Sequence, residues 1–179
     1  MEERTNEAFE LGEELTVVGS KLRRGDMAPE FELETLDPKS GSIAMVRLSE
    51  SAGSVRLLST VNSVDTPVCH VETLRWEESA AQLPDLKVFT ISMDLPFAMS
   101  RWQTQANVNH VLLSAHKNEA FGTSYGVLIK EWRLLQRGVF VIDPDGKILH
   151  AEYVADQMKE PDYAAALEVV RAGRAFPRH

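Results

Sequence analysis

Cys69, the single cysteine of the chain, sits where a thiol can become a nucleophile. A run of turn-forming residues, Asn62-Ser63-Val64-Asp65-Thr66-Pro67, precedes it, and helical spacing begins at Val68. Thr66 suits a helix cap and Pro67 the first helical position. Cys69 therefore belongs to the first turn of a helix. Unpaired backbone N–H groups and the positive end of the helix dipole favour an anion there. A thiolate is such an anion, and cysteines in this setting are acidified and reactive. A lone cysteine is otherwise a small buried hydrophobe, but that role has no need of a helix start. The Thr66 hydroxyl lies one helical turn before the sulfur. With one cysteine, no disulfide, CxxC pair or cysteine-based zinc site forms within the chain.

The remaining chemistry-bearing residues make weaker patterns. Histidines at 70, 110, 116, 150 and 179 show no HExxH-type spacing. His70 follows Cys69 directly, but adjacent side chains on a helix diverge by ~100°, so it is not expected to act as the base for Cys69. Asp143-Pro144-Asp145-Gly146 reads as a turn rather than a calcium loop, because the other ligand positions are missing. Neither GxGxxG nor a P-loop occurs. No metal, nucleotide, haem or other cofactor is expected.

The elements that must position Cys69 follow from patterning. The first ten residues read as a mobile or loosely docked arm, with residues 1–13 set apart from a single domain over 14–179. Leu15 to Val18 is strand-like, Phe31 to Glu34 alternates, and Ile43 to Leu48 is a short strand. Val55 to Val61 is β-branched and apolar on both faces, as in a central strand. In the helix after Pro67, Val68, Val71, Leu74 and Ala81 lie near one face and are expected to be its buried side. Leu86 to Met93 is a strand, Phe97 to about Ala106 a helix, and Val111 to Leu113 a short strand. An irregular segment through Phe121 and Gly126 follows. Leu134 to Ile142 reads as one strand, residues 143–146 as a hairpin turn and Ile148 to Val154 as the returning strand. Pro161 opens a last helix. This order describes an α/β fold of thioredoxin-like layout: a mixed central sheet, helices on both faces and an N-terminal β extension.

Several of these segments resemble one family. Ser63-Val64-Asp65-Thr66-Pro67-Val68-Cys69 is similar to the peroxidatic-cysteine loop of bacterial thiol peroxidases, a subgroup of the peroxiredoxins. The likeness continues in Thr90 to Ala98, in Phe121-Gly122, in Tyr125 to Glu131 and in Arg137 to Asp143, and covers the chain from about Glu14 to Arg171. The resemblance implies a peroxiredoxin fold with Cys69 as the peroxidatic nucleophile. It makes Thr66 the hydroxyl that bonds thiolate and peroxide, and Arg137 the cation that stabilises the thiolate and holds peroxide oxygens. Glu72, one turn beyond Cys69, matches a position that orients the arginine. Thr66 has a plainer reading as a helix cap, Arg137 as a solvated or ion-paired strand residue, and Glu72 as an exposed helix carboxylate.

Two departures stand out. Asn62 occupies a position where the family has a proline that packs over the sulfur. Gln103 stands where the subgroup carries its resolving cysteine, so its usual internal disulfide cannot form. The resemblance thus implies a one-cysteine peroxidase acting on hydrogen peroxide and organic hydroperoxides. Its sulfenic acid would be reduced by an external thiol, thioredoxin or a low-molecular-weight thiol. It also implies a homodimer. Alternatives are another thiol chemistry on the same fold, such as glutathione-linked disulfide reduction, and a peroxide sensor or thiol-binding module that does not turn over.

Composition narrows the setting. The 179 residues fit one domain, and 19 basic against 27 acidic residues leave a net charge of −8. Such a chain, with Lys21-Leu22-Arg23-Arg24 as its only short basic cluster, is poorly suited to nucleic acid. Met1 to Glu7 is polar and acidic, unlike a signal peptide, and nothing approaches the ~18 apolar residues of a membrane span. A cytoplasmic location is expected.

Overall fold

The computed structural model describes residues 1–174; His179, among the histidines considered above, lies outside them. The chain opens with strands β1 (Glu3–Glu10), β2 (Glu13–Val18), β3 (Glu32–Leu36), β4 (Ile43–Arg47) and β5 (Arg56–Thr60). Then come helix α1 (Pro67–Gln82), β6 (Lys87–Ser92), α2 (Pro96–Ala106), β7 (Val111–Ser114) and α3 (Ala120–Ser124). The last elements are β8 (Leu128–Ile129), β9 (Leu134–Leu135), β10 (Gly138–Ile142), β11 (Ile148–Tyr153) and α4 (Tyr163–Arg174).

A seven-stranded sheet runs in the order β11-β10-β5-β6-β7-β3-β4. Strands β5, β6 and β7 are parallel, and β10 and β3 flank them antiparallel. Their period-2 alternation divides the core. Leu57, Val88, Val139 and Val141 face Trp76 of α1 and Ala166 and Val170 of α4. Their neighbours Leu58, Phe89, Ile91, Phe140 and Ile142 pack with Phe31, Phe121 and Tyr125. The layout is the mixed, two-faced sheet expected from the sequence. A second sheet, β1-β2-β8-β9, is the N-terminal extension.

Four local expectations change. The opening residues are not a loose arm: β1 pairs antiparallel with β2, and Arg4 and Ala8 are buried. The Arg4 guanidinium donates to the Gly126 carbonyl at 2.9 Å. Their strand character was masked by charge, since Glu3, Arg4, Glu7 and Glu10 leave little apolar alternation to read. Residues 134–142 are not one strand: β9 and β10 belong to different sheets, with Gln136 and Arg137 between them. The irregular segment before Tyr125 contains the short helix α3. In α1 the expected apolar face is inverted, because Val71 and Leu74 are exposed while Cys69, Glu72, Thr73 and Trp76 are buried. These four share a face by helical spacing, and their polar groups are satisfied within the fold.

Candidate active site

Strand β5 delivers the chain at Thr60 to the loop that carries Asn62 and Thr66, and α1 begins at Pro67. Thr66 is the N-cap residue, with extended backbone. Its hydroxyl does not cap the helix as expected but donates to the Ser63 carbonyl at 3.0 Å, tightening the loop instead. The backbone N–H of His70 makes the first helical bond, to the Thr66 carbonyl. Cys69 is thus the third residue of the helix, and it is fully buried.

Arg137 reaches it from the break between β9 and β10. One guanidinium nitrogen, Nη1, donates to Cys69 Sγ at 3.2 Å and to Glu72 Oε2 at 2.6 Å. The opposite Glu72 oxygen, Oε1, accepts from Ser59 Oγ at 2.9 Å and Trp76 Nε1 at 3.3 Å. Glu72 is therefore neither exposed nor a surface carboxylate. Arg137 Nε is buried with no hydrogen-bond partner among the described residues. One donor of the guanidinium thus stays free.

The electrostatics follow from this enclosure. Burial pushes the Glu72 carboxyl above its ordinary value, against the lowering pull of Arg137, Ser59 and Trp76. For Arg137 burial acts the other way, yet Cys69 and Glu72 together hold the guanidinium above its ordinary value. The difference is one of partners: Glu72 gains a single cation, whereas Arg137 faces two groups able to carry negative charge.

Asn62 and Thr66 belong to the same loop but contact other groups than the sulfur. Asn62 Nδ2 donates to the Leu135 carbonyl at 2.7 Å and to Gln157 Oε1 at 3.1 Å. Gln157 is the residue that sequence reasoning missed. Its Oε1 accepts the Arg137 backbone N–H at 2.9 Å, and its carbonyl accepts from Arg137 Nη2 at 2.7 Å. A glutamine in a loop twenty positions past the arginine carries no local signal. Trp76, four residues after Glu72, could have been found from helical spacing. His70 is occupied elsewhere: its Nδ1 accepts from Trp102 Nε1 at 3.0 Å. Gln103 donates to the His110 carbonyl at 2.8 Å, and Cys69 is a free thiol. Among the described residues no group of three or more His, Cys, Asp or Glu is placed to hold a metal ion.

A buried cysteine at a helix start, hydrogen-bonded to an enclosed arginine on a thioredoxin-like sheet, defines a thiol-redox class of protein. The AhpC/TSA family model matches residues 24–151, and the chain belongs to that family. A thiol peroxidase of Bacillus subtilis strain 168 is 41% identical over 162 residues, spanning 90% of this chain and 94% of its own. Thiol peroxidase of Listeria innocua is 40% identical over 158 residues, 88% of this chain and 93% of its own. A peroxiredoxin-like protein from Aquifex aeolicus superposes with a TM-score of 0.81 at 33% identity, covering 95% of this chain and 97% of that one. The likeness to thiol peroxidases that the motifs carry from about Glu14 to Arg171 is matched over 90% of the chain by the Bacillus subtilis protein, and the fold is that of the peroxiredoxins.

Proposed function

We propose that the chain is a thiol-dependent peroxidase that works through Cys69 alone. The carrying observation is that Arg137 Nη1 donates to both the Cys69 sulfur and the Glu72 carboxylate. Glu72 orients the guanidinium, and the guanidinium favours the thiolate. The thiolate attacks the nearer oxygen of a hydroperoxide. The S–O bond forms as the O–O bond breaks, and the departing oxygen leaves as hydroxide or alkoxide and takes a proton. The free Nε–H of Arg137 and the N–H groups of the first helical turn are the donors at hand for that growing charge, and the Thr66 hydroxyl joins them only by leaving the Ser63 carbonyl. Each such preorganised donor is worth ~10²–10³ in rate.

Cys69 is left as a sulfenic acid. An external thiol displaces water to form a mixed disulfide, and a second thiol releases reduced Cys69. Thioredoxin or a low-molecular-weight thiol fills this role in the proposal. A cytoplasmic homodimer is also part of it: Val71 and Leu74 of α1, with Leu95 and Phe97 at the start of α2, are large apolar side chains left exposed. No helix among the described residues is long and apolar enough to cross a membrane. Consumption of hydrogen peroxide and of an organic hydroperoxide, with thioredoxin or with glutathione as reductant, tests the reading. Catalytic turnover supports it. Stoichiometric oxidation of Cys69 without turnover under any of these conditions identifies a sensor instead.

A further inference from the structure

The placement of Arg137 raises a question that its contacts to Cys69 and Glu72 do not answer. Arg137 lies between β9 and β10, so no strand ladder fixes its N–H. Its carbonyl accepts the Val154 N–H at 3.0 Å, which leaves the N–H and the Nη2 end to be placed, and a misplacement of ~1 Å near a reacting atom costs about 10²-fold in rate. Gln157 supplies the missing restraint from both ends. Its side-chain oxygen takes the Arg137 N–H and its main-chain carbonyl takes Nη2.

Gln157 is itself immobilised. Its Nε2 donates to the carbonyls of Val154 at 2.8 Å and Ala155 at 3.1 Å, and its N–H donates to the Phe9 carbonyl at 2.8 Å. Besides Arg137, Asn62 of the cysteine loop reaches it with a side chain, through Nδ2. The other hydrogen on Nδ2 serves Leu135, the last residue before the break. One amide nitrogen thus ties the loop before Cys69 to the segment entering Arg137 and to the clamp beyond it. Asn62 and Gln157 are 4% and 1% exposed, so water does not compete for these bonds.

We propose that Asn62 and Gln157 are positioning residues for the peroxide reaction: they fix the Arg137 guanidinium relative to Cys69 and couple it to the cysteine loop. The inference rests on the peroxidase reading of Cys69 and Arg137. It also gives Asn62 a positive role. A proline in its place has no side-chain N–H and makes neither the bond to the Leu135 carbonyl nor the bond to Gln157 Oε1.

The test is the second-order rate constant for Cys69 oxidation by hydrogen peroxide, followed by stopped flow without reductant. Asn62→Ala and Gln157→Leu should each slow oxidation by about 10–100-fold. Both should also move the pH profile of the rate to higher pH, which loss of packing alone does not do. In an Arg137→Met background the same substitutions should change the rate by less than about twofold, because their effect passes through the guanidinium. Asn62→Leu keeps nearly the same size and removes both donors without adding a charge, so it should match Asn62→Ala even where the smaller residue loosens the loop. Wild-type rates in Asn62→Ala and Asn62→Leu overturn the inference. So does an equal slowing in the presence and absence of Arg137. If Arg137→Met itself oxidises at the wild-type rate, the reading of the site fails together with the inference. If Arg137→Met is slow and the Asn62 variants are not, only the inference fails.

Discussion

Replacing Arg137 by methionine separates the stability of this site from its chemistry. The Glu72 and Arg137 side chains are 0% and 1% exposed and 2.6 Å apart. Methionine keeps much of the volume and removes the cation, leaving Glu72 with only Ser59 and Trp76 as donors. Removing one partner of a buried ion pair costs about 3–5 kcal/mol. At ~2–4 °C per kcal/mol for a chain of this size, that lowers Tm by roughly 6–20 °C. The loss should also depend on pH. Burial already holds the Glu72 carboxyl above its ordinary 4.5, and the variant loses the strongest influence opposing that. A carboxyl raised in the folded state keeps its proton after the unfolded chain has lost it. Its contribution is therefore fully present below 4.5 and is lost as pH rises toward the folded value. The slope is at most ~1.4 kcal/mol per pH unit for one group.

Guanidinium chloride unfolding at about pH 5 and about pH 8 measures this, with Arg137→Met the weaker of the two proteins and weakest at the higher pH. Adding Glu72→Gln removes the stranded carboxylate. Stability should then recover by several kcal/mol, since uncharged replacements of a buried pair are typically neutral or stabilising by ~1–4 kcal/mol. Peroxide oxidation should not recover, staying ~10²–10³-fold below wild type in both variants. The reasoning is refuted if Arg137→Met lies within about 1 kcal/mol of wild type at both pH values, or if the double variant is no more stable than the single.

Cys69→Ser should keep the fold, shown by unchanged circular dichroism, and lose peroxide reduction; residual turnover above a few per cent of wild type would displace Cys69 as the nucleophile. One equivalent of peroxide should add one oxygen to Cys69, trappable by dimedone, and excess should carry it to sulfinic acid; rapid, complete Cys69–Cys69 dimerisation on non-reducing gels would contradict this. His110 is held below its ordinary 6.5 by burial, against the raising influence of Glu77. The neutral ring suits its partners, Nδ1–H donating to Glu77 and Nε2 accepting from the Thr90 hydroxyl. A depressed histidine contributes stability above 6.5 that is lost as pH falls toward the folded value, so unfolding experiments should show an acid-side decline that His110→Gln flattens.

The elements that hold the site were readable where punctuation and period coincide. Pro67 after Thr66 marks the start of α1, and the doubly apolar run at 55–61 marks β5 as central. What was hidden has physical reasons. The buried face of α1 sets Glu72 and Thr73 between Cys69 and Trp76, and those two polar residues break the apolar periodicity of that face. The exposed Val71 and Leu74 drew the reading instead. The run from Leu134 to Ile142 is apolar at both ends, so the polar pair Gln136-Arg137 reads as part of one strand although the chain passes there from one sheet to the other. Gly138, just after Arg137, is the trace of that passage. A Cβ there would meet Thr60 Oγ1 at 3.0 Å and the Glu152 carbonyl at 3.1 Å. Gln157 was invisible because its partners are Arg137, Asn62 and Phe9, contacts that only the folded chain creates.

The enclosure of Cys69 sets a last expectation, about which half of the cycle is slow. A hydroperoxide is small, but a thiol carried on a protein must have the first turn of α1 move aside to reach the sulfur. That turn and its loop are latched to the β6–α2 junction. Asp94 accepts from Ser63 Oγ at 2.8 Å, Val64 N–H at 3.0 Å and Ser92 Oγ at 2.7 Å, and Trp102 donates to His70. Opening breaks the two loop bonds to Asp94 and the His70 bond. At ~1.5 kcal/mol for each bond to the carboxylate and ~1 for the other, the open state costs about 4 kcal/mol. It is then populated on the order of one part in a thousand, at 1.4 kcal/mol per factor of ten. Asp94→Ala removes the carboxylate bonds, and reduction of the Cys69 sulfenic acid by thioredoxin should quicken by at least about tenfold. Oxidation by hydrogen peroxide should change by less than about threefold, because Asp94 contacts neither Arg137 nor Glu72. Asp94→Asn, which keeps an acceptor but not the charge, should fall between. Single-turnover reduction of pre-oxidised protein gives the answer directly. Equal reduction rates in wild type and Asp94→Ala, with the variant folded, would show that the latch does not govern access to the sulfur.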